Sequence, residues 1–185
     1  MRAVQVRRAV ATLTEAGPGP DSRRSGRLQR RRQRLLSVAV GAVVVALDQV
    51  TKSWALSALE DGRTIHVVWT LQLNLTFNKG VAFGLGKGST SVIALIGVVV
   101  LVLLATLGRA GITNRLQAVA VGLVLGGAAG NMADRLFRQH GGAVIDFIDL
   151  QWWPVFNVAD SAITCGAVLL VVSGLLQGRD ASHTH

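Results

Sequence analysis

Cysteine occurs once in the 185 residues, proline three times, and aromatic residues make up only 5%. The single thiol, Cys165, excludes an internal disulfide and any cysteine-built metal site. It lies within an apolar run, where a small packed residue is the expectation. Two of the three prolines, Pro18 and Pro20, fall in the first 34 residues, so the rest of the chain has few backbone breaks. Acidic residues are also few, ten against nineteen Lys and Arg, for a net charge of +9. That excess is local. Residues 1–34 hold ten arginines against Glu15 and Asp21, and the remaining 151 residues carry nine basic and eight acidic side chains. A basic domain for nucleic acid is therefore excluded, because the arginines precede a hydrophobic helix and few aromatics are present to stack on bases. What is plentiful is apolar: 50% of residues are hydrophobic and the mean hydropathy is +0.46. Long apolar runs with few charges point to a multi-spanning membrane protein.

The order of the runs sets the expected organisation. Residues 1–34 read as a mostly disordered basic cytoplasmic arm, residues 35–178 as a transmembrane domain of four helices, and residues 179–185 as a cytoplasmic tail. The expected spans are residues 35–59, 91–107, 116–133 and 157–176, each near the ~20 residues a helix needs to cross hydrocarbon. Arginine beside the first span, Arg109 and Arg115 in the short loop, and Arg179 after the last span all favour the cytoplasmic side. Both termini are then inside. Between the first two spans the period changes. Trp69, Leu71, Leu73, Leu75 and Phe77 alternate with polar residues over residues 66–78, the pattern of a strand with one apolar face. Unpaired strand edges are costly at a membrane, so a small hairpin or curved sheet at the interface is expected. Gly122, Gly126 and Gly130 repeat every four residues and allow close helix contact. His66 and His140 read as surface or turn residues, and residues 137–156 as an outer loop with interfacial Trp152 and Trp153.

Charged residues within such spans are functional candidates by default. Asp48 and Lys52 are four apart and share a helix face. They make either an internal ion pair or a substrate-positioning pair. Asp134 and Arg135 make either a salt bridge at the helix end or, through Arg135 and Asn131, a means of orienting the acids or the substrate backbone. Asn157 is placed to cap the last helix, which puts Asp160 in its first turn, where the helix dipole favours an anion. Asp146 and Asp160 fall at the outward end of the bundle with Asn131, Arg135 and the amphipathic strand. Two carboxylates sharing a low-dielectric site cannot both ionise easily, which divides them into an acid and a base. A proton-coupled transporter would place its acid near the midplane between inverted repeats, and no repeat is visible. A non-catalytic assembly protein would tolerate neutral replacement of the acids, and a Ser–Lys protease is left only Lys52 beside Ser53.

Five blocks, in order, carry a resemblance: DQVTK at 48–52, NKGVAFG at 78–84, GGAAGNMADR at 126–135, VIDF at 144–147 and PVFNVAD at 154–160. Together they resemble the bacterial lipoprotein signal peptidases, or signal peptidase II, over residues 35–176. The resemblance implies a mainly helical membrane protein with four transmembrane helices and a small interfacial β platform over residues 64–83. It implies an intramembrane aspartyl endopeptidase with Asp146 and Asp160 as the catalytic pair. Asp48, Lys52, Asn78, Gly80, Asn131, Asp134, Arg135 and Asn157 match positions that support the site or bind substrate. The implied substrates are diacylglyceryl-modified prolipoproteins, cut just before the lipidated cysteine, in contact with membrane lipid. No metal, cofactor or nucleic acid is implied, the protein is expected to be a monomer of the bacterial inner membrane, and the active site is expected near the outer leaflet.

Overall fold

The computed structural model describes residues 20–79 and 111–182, with side chains over residues 24–79 and 111–177. The element order is α1 (Pro20–Leu59), β1 (Ile65–Val68), β2 (Leu71–Asn78), α2 (Arg115–Phe137), β3 (Val144–Asp149) and α3 (Val158–Ser182). Three helices among the described residues are long and apolar enough to cross a bilayer, over Arg24–Leu59, Arg115–Phe137 and Val158–Gln177. The run at residues 91–107, read as a further span, lies outside the described residues, as do residues 1–19 of the basic arm, Gly80 and residues 183–185.

The first helix begins earlier than its hydrophobic run. α1 is 40 residues long, about 60 Å at 1.5 Å per residue. Proline suits a first helical position because its missing N–H has no intrahelical partner there. The Arg, Gln and Leu that follow are good helix formers with no breaker among them but Gly26. Residues 24–32 are exposed, and Gln33 and Ser37 are the first buried polar positions. The second half of the expected disordered arm is thus helical and continuous with the span.

Small residues set how the helices approach. Gly126 on α2 faces Gly41 on α1 so closely that an added Cβ would lie 2.7 Å from the Gly41 carbonyl oxygen and 2.8 Å from its Cα. Gly127, one residue on and turned toward α3, would meet the Ala159 carbonyl oxygen and the Ile163 side chain. α2 is therefore the central helix, with α1 on one side and α3 on the other. Ala120, Val121, Val124 and Leu170 form the dry contact between α2 and α3. Leu35, Val38, Val43, Leu47, Val50, Leu125, Val168 and Leu175 are exposed on the outer faces, the arrangement hydrocarbon solvent favours. Cys165 belongs to that outer face. It is exposed rather than packed, since the buried positions of this stretch are Ala162, Gly166 and Leu170.

At one end of the bundle the strands form an antiparallel sheet of order β1-β2-β3. The alternating stretch 66–78 is a hairpin. Val68 pairs with Leu71, and the turn between them puts Trp69 in the left-handed region (φ 54) and almost fully exposed at 96%. β3 lies where an outer loop was expected. Its VIDFID pattern pairs with β2, Thr76 opposite Asp146 and Asn78 opposite Val144. Phe147 packs with Ala55 and Leu59 of α1, with Leu73, Leu75 and Ile148 around them, so the sheet sits on the end of α1.

Candidate active site

Asp146 is the third residue of β3 and is 1% exposed. Asn78 lies on the same face of the sheet, diagonally across on β2, and its Nδ2 donates to Asp146 Oδ2 at 2.9 Å. After β3 the chain doubles back and Phe156 bridges Ile148. That places the next residue, Asn157, beside β3, where its Nδ2 donates to Asp146 Oδ1 at 2.6 Å and to the Ile145 carbonyl at 3.2 Å.

Asn157 is also the N-cap of α3. Its Oδ1 accepts from the Asp160 backbone N–H at 2.9 Å, and Asp160 Oδ2 accepts from the Asn157 N–H at 3.2 Å. The exchange is a capping box with Asp in the position usually held by Glu or Gln. Asn131, from α2, donates its Nδ2 to Asp160 Oδ1 at 2.8 Å and accepts from Asn157 Nδ2 at 3.1 Å. All four carboxylate oxygens of Asp146 and Asp160 thus accept an N–H, and Asn157 touches both acids. Each oxygen retains a second lone pair for water or substrate.

The two acids of β3 show how environment divides them. Burial and the nearby Asp160 charge push Asp146 up from its ordinary 3.8 to about 7, against the opposing pull of Asn78, Asn157 and Lys52. Asp149, at the wet end of the strand, is held below its usual value by the Gln72 amide, helped by the Gln151 N–H and Asn74. A carboxyl near neutrality in a buried site is suited to give and take protons.

Behind these residues lies a fully buried charge cluster. The Lys52 ammonium reaches Asp48 at 2.9 Å, Asp134 at 2.7 Å and Asn131 Oδ1 at 2.9 Å. Its three N–H donors are thereby used. Lys52, Asp48 and Asp134 are all 0% exposed, tolerable only because the charges are paired and hydrogen-bonded. Asp48 Oδ1 also accepts from the Ala159 N–H at 3.0 Å, and Asp134 Oδ2 from the Ile145 N–H at 3.1 Å.

The structure thus gathers Asp146, Asp160, Asn78, Asn131 and Asn157 into one site, with Asp48, Lys52 and Asp134 directly beneath. Asp48 and Lys52 do form the ion pair expected of their spacing. Asp134 does not pair with its neighbour Arg135. It pairs with Arg138 at 3.1 Å, because residues four apart share a helix face and adjacent ones do not. Arg135 is half-buried, and its side chain makes no hydrogen bond or ion pair among the described residues. Sequence reasoning missed Gln49 and Arg138. The Gln49 amide donates to Asp48, Asp134 and the Gly130 carbonyl, and Arg138 holds Gln49 and Ser53 across the helix contact. The i,i+4 spacing of Asp134 and Arg138 was the available signal.

The chain is similar to known proteins in sequence and in fold. A family model described as signal peptidase (SPase) II matches residues 40–176. The lipoprotein signal peptidase of Rhodococcus jostii (strain RHA1) is 43% identical over 148 residues, covering 78% of this chain and 74% of that protein. The lipoprotein signal peptidase of Mycobacterium avium (strain 104) is 45% identical over 146 residues, covering 77% and 79%. That of Syntrophomonas wolfei is 41% identical over 139 residues, covering 74% and 91%. Among solved structures, a bacterial membrane enzyme determined by the in meso method at 1.9 Å superposes with a TM-score of 0.58 at 29% identity, covering 75% of this chain and 92% of that one.

Proposed function

The chain belongs to the signal peptidase II family of aspartic-type peptidases, which remove signal peptides from prolipoproteins, and we propose that Asp146 and Asp160 are the pair that performs this hydrolysis here. The observation that carries the reading is that Asn157 donates to both carboxylates at one buried point, its side-chain amide to Asp146 and its backbone N–H to Asp160. In this reading the pair holds one proton, on Asp146 at rest. The Asp160 carboxylate, at the N-terminus of α3 where the helix dipole favours negative charge, takes a proton from a water between the acids as that water attacks the scissile carbonyl. Asp146 donates to the carbonyl oxygen. The proton gained by Asp160 then goes to the leaving amine. Each well-placed proton transfer contributes roughly 10²–10⁴-fold. Asn78, Asn131 and Asn157 aim the two carboxylates, and Arg135 and Gly80 are assigned to the substrate side.

The substrate carries a diacylglyceryl group on the cysteine just after the cut. Its acyl chains favour hydrocarbon by ~0.8 kcal/mol per buried methylene, which holds the cleavage site at the membrane boundary. We place the sheet and both acids on the outer side of the inner membrane and both termini on the cytoplasmic side, in a monomer. The direction of the helices supports this topology. Asp48 and Lys52, toward the C-terminal end of α1, meet Asp134 near the C-terminal end of α2, so the two helices run parallel. Parallel helices fit one further crossing between them, and this reading assigns it to the apolar run at residues 91–107 as a fourth span.

The test is a gel-shift assay on a lipidated precursor with purified protein. Asp146→Asn and Asp160→Asn are each expected to abolish cleavage while keeping the folded near-UV signal. Near-normal turnover by either variant overturns the assignment.

A further inference from the structure

Two backbone N–H groups in the site have unusual partners. Ile145 immediately precedes Asp146, and its N–H is held by Asp134 at 3.1 Å. Ala159 immediately precedes Asp160, and its N–H is held by Asp48 at 3.0 Å. The two anchoring carboxylates come from different helices, α2 and α1, and Lys52 joins them at 2.7 and 2.9 Å. The third N–H of Lys52 goes to Asn131 Oδ1 at 2.9 Å. That contact fixes which way the Asn131 amide faces and directs its Nδ2 at Asp160 at 2.8 Å. One ammonium is thus tied by one intermediate residue to the backbone before each acid and to a side-chain oxygen of one of them.

We propose that Lys52 is a positioning residue for the cleavage reaction, setting the separation of Asp146 and Asp160 through Asp134, Asp48 and Asn131. The inference rests on the two-aspartate reading above and adds what fixes the distance between the pair. Among the described residues, backbone pairing between β3 and the approach to α3 is confined to Phe156 with Phe147 and Ile148, which leaves the placement of Asp160, four residues on, to side chains. A buried ion with three fixed acceptors locks that placement, because moving any arm leaves a buried charge unpaired. Room for it is made at Gly130, where an added Cβ would lie 2.5 Å from Asp48 Oδ2. Gln49 reinforces the same pair of anchors, donating to Asp48 at 3.2 Å and to Asp134 at 3.0 Å.

The experiment measures kcat, KM and thermal midpoint for a lipidated precursor with Lys52→Met, Gln49→Ala, Asp146→Asn and Asp160→Asn side by side. Lys52→Met keeps the stem and removes the charge. A displacement near 1 Å in the acids corresponds to a loss of roughly 10- to 100-fold in kcat with KM little changed. The alkaline limb of its pH profile should also move upward, since the Lys52 charge favours ionised Asp146. The groups facing Asp146 are Asn78 from β2, Asn157 and Asp160 at the start of α3, and Lys52 from α1, so the removed charge is the one cation among these. A merely structural lysine would lower the midpoint and the folded fraction but leave kcat per folded molecule in place, whereas the shift of the limb reports only that the charge is gone. Should Lys52→Met not fold, Gln49→Ala decides, because Gln49 is only half-buried. Its kcat should fall by roughly 3- to 10-fold at parental KM and midpoint. Parental kcat in folded Lys52→Met, or in Gln49→Ala where Lys52→Met does not fold, overturns the proposal. If the two aspartate variants are dead in that same experiment, the lysine role alone fails. If they are active, the two-aspartate reading fails with it.

Discussion

Replacing Asp146 by Asn should stop the enzyme and, at pH 8, make it more stable. Folded Asp146 keeps its proton to about pH 7, whereas an ordinary aspartate releases it at 3.8. Between those values the folded state binds more protons than the unfolded state, so raising the pH costs stability. The contribution is fully present below about pH 4 and is lost by about pH 7, in total roughly 4 kcal/mol at ~1.4 kcal/mol per pH unit. An asparagine at this position never ionises and escapes that loss. It does set one of its own N–H groups against the donors of Asn78 or Asn157, at about 1–2 kcal/mol. The variant should therefore trail the parent slightly at pH 4 and lead it by about 2 kcal/mol at pH 8, an upward shift of ~4–8 °C for a chain of this size. The assay is intrinsic tryptophan fluorescence during heating in detergent micelles at pH 4, 6 and 8. A variant that melts at or below the parent at pH 8, or that keeps the parent's pH slope, refutes the reasoning. The parent's kcat/KM should meanwhile fall about tenfold per pH unit above pH 7 as the proton donor is lost.

Gly127→Ala should cost about 3 kcal/mol or more and most of the activity, because the new methyl group meets the Ala159 backbone next to Asp160. Gly174→Ala, with nothing within 4 Å of an added Cβ, should raise helix stability by about 0.5–1 kcal/mol without altering turnover. Paired thermal melts and precursor assays check both. Since the assigned hydrolysis needs only the two carboxyl groups and a water, cleavage should persist in excess EDTA, and loss of turnover restored by a divalent metal would contradict the assigned chemistry.

The three helical spans among the described residues were legible because hydrophobic length is a property of the chain itself. The glycine repeat was legible for the same reason, since Gly122 and Gly126 have no side chain to hold α1 away. Asp146, Asp160 and their asparagines could be marked because polar groups in apolar surroundings stand out. What could not be read was pairing over distance. VIDFID passed for loop because six residues with two acids need β2 beside them to be a strand. Trp69 continued the alternation along the chain, yet a hairpin must turn somewhere, and the turn took that residue out of the ladder. Arg138 drew no notice in the sequence, because one of its partners, Gln49, lies on another helix and 89 residues away.

Cys165 has a practical use. It is the chain's one thiol, it faces outward from α3, and it lies five residues past Asp160, which is about 140° around the helix from it. A small lipophilic maleimide dye or spin label attached there would report on that helix without entering the reaction chamber. No background cysteine has to be engineered away first.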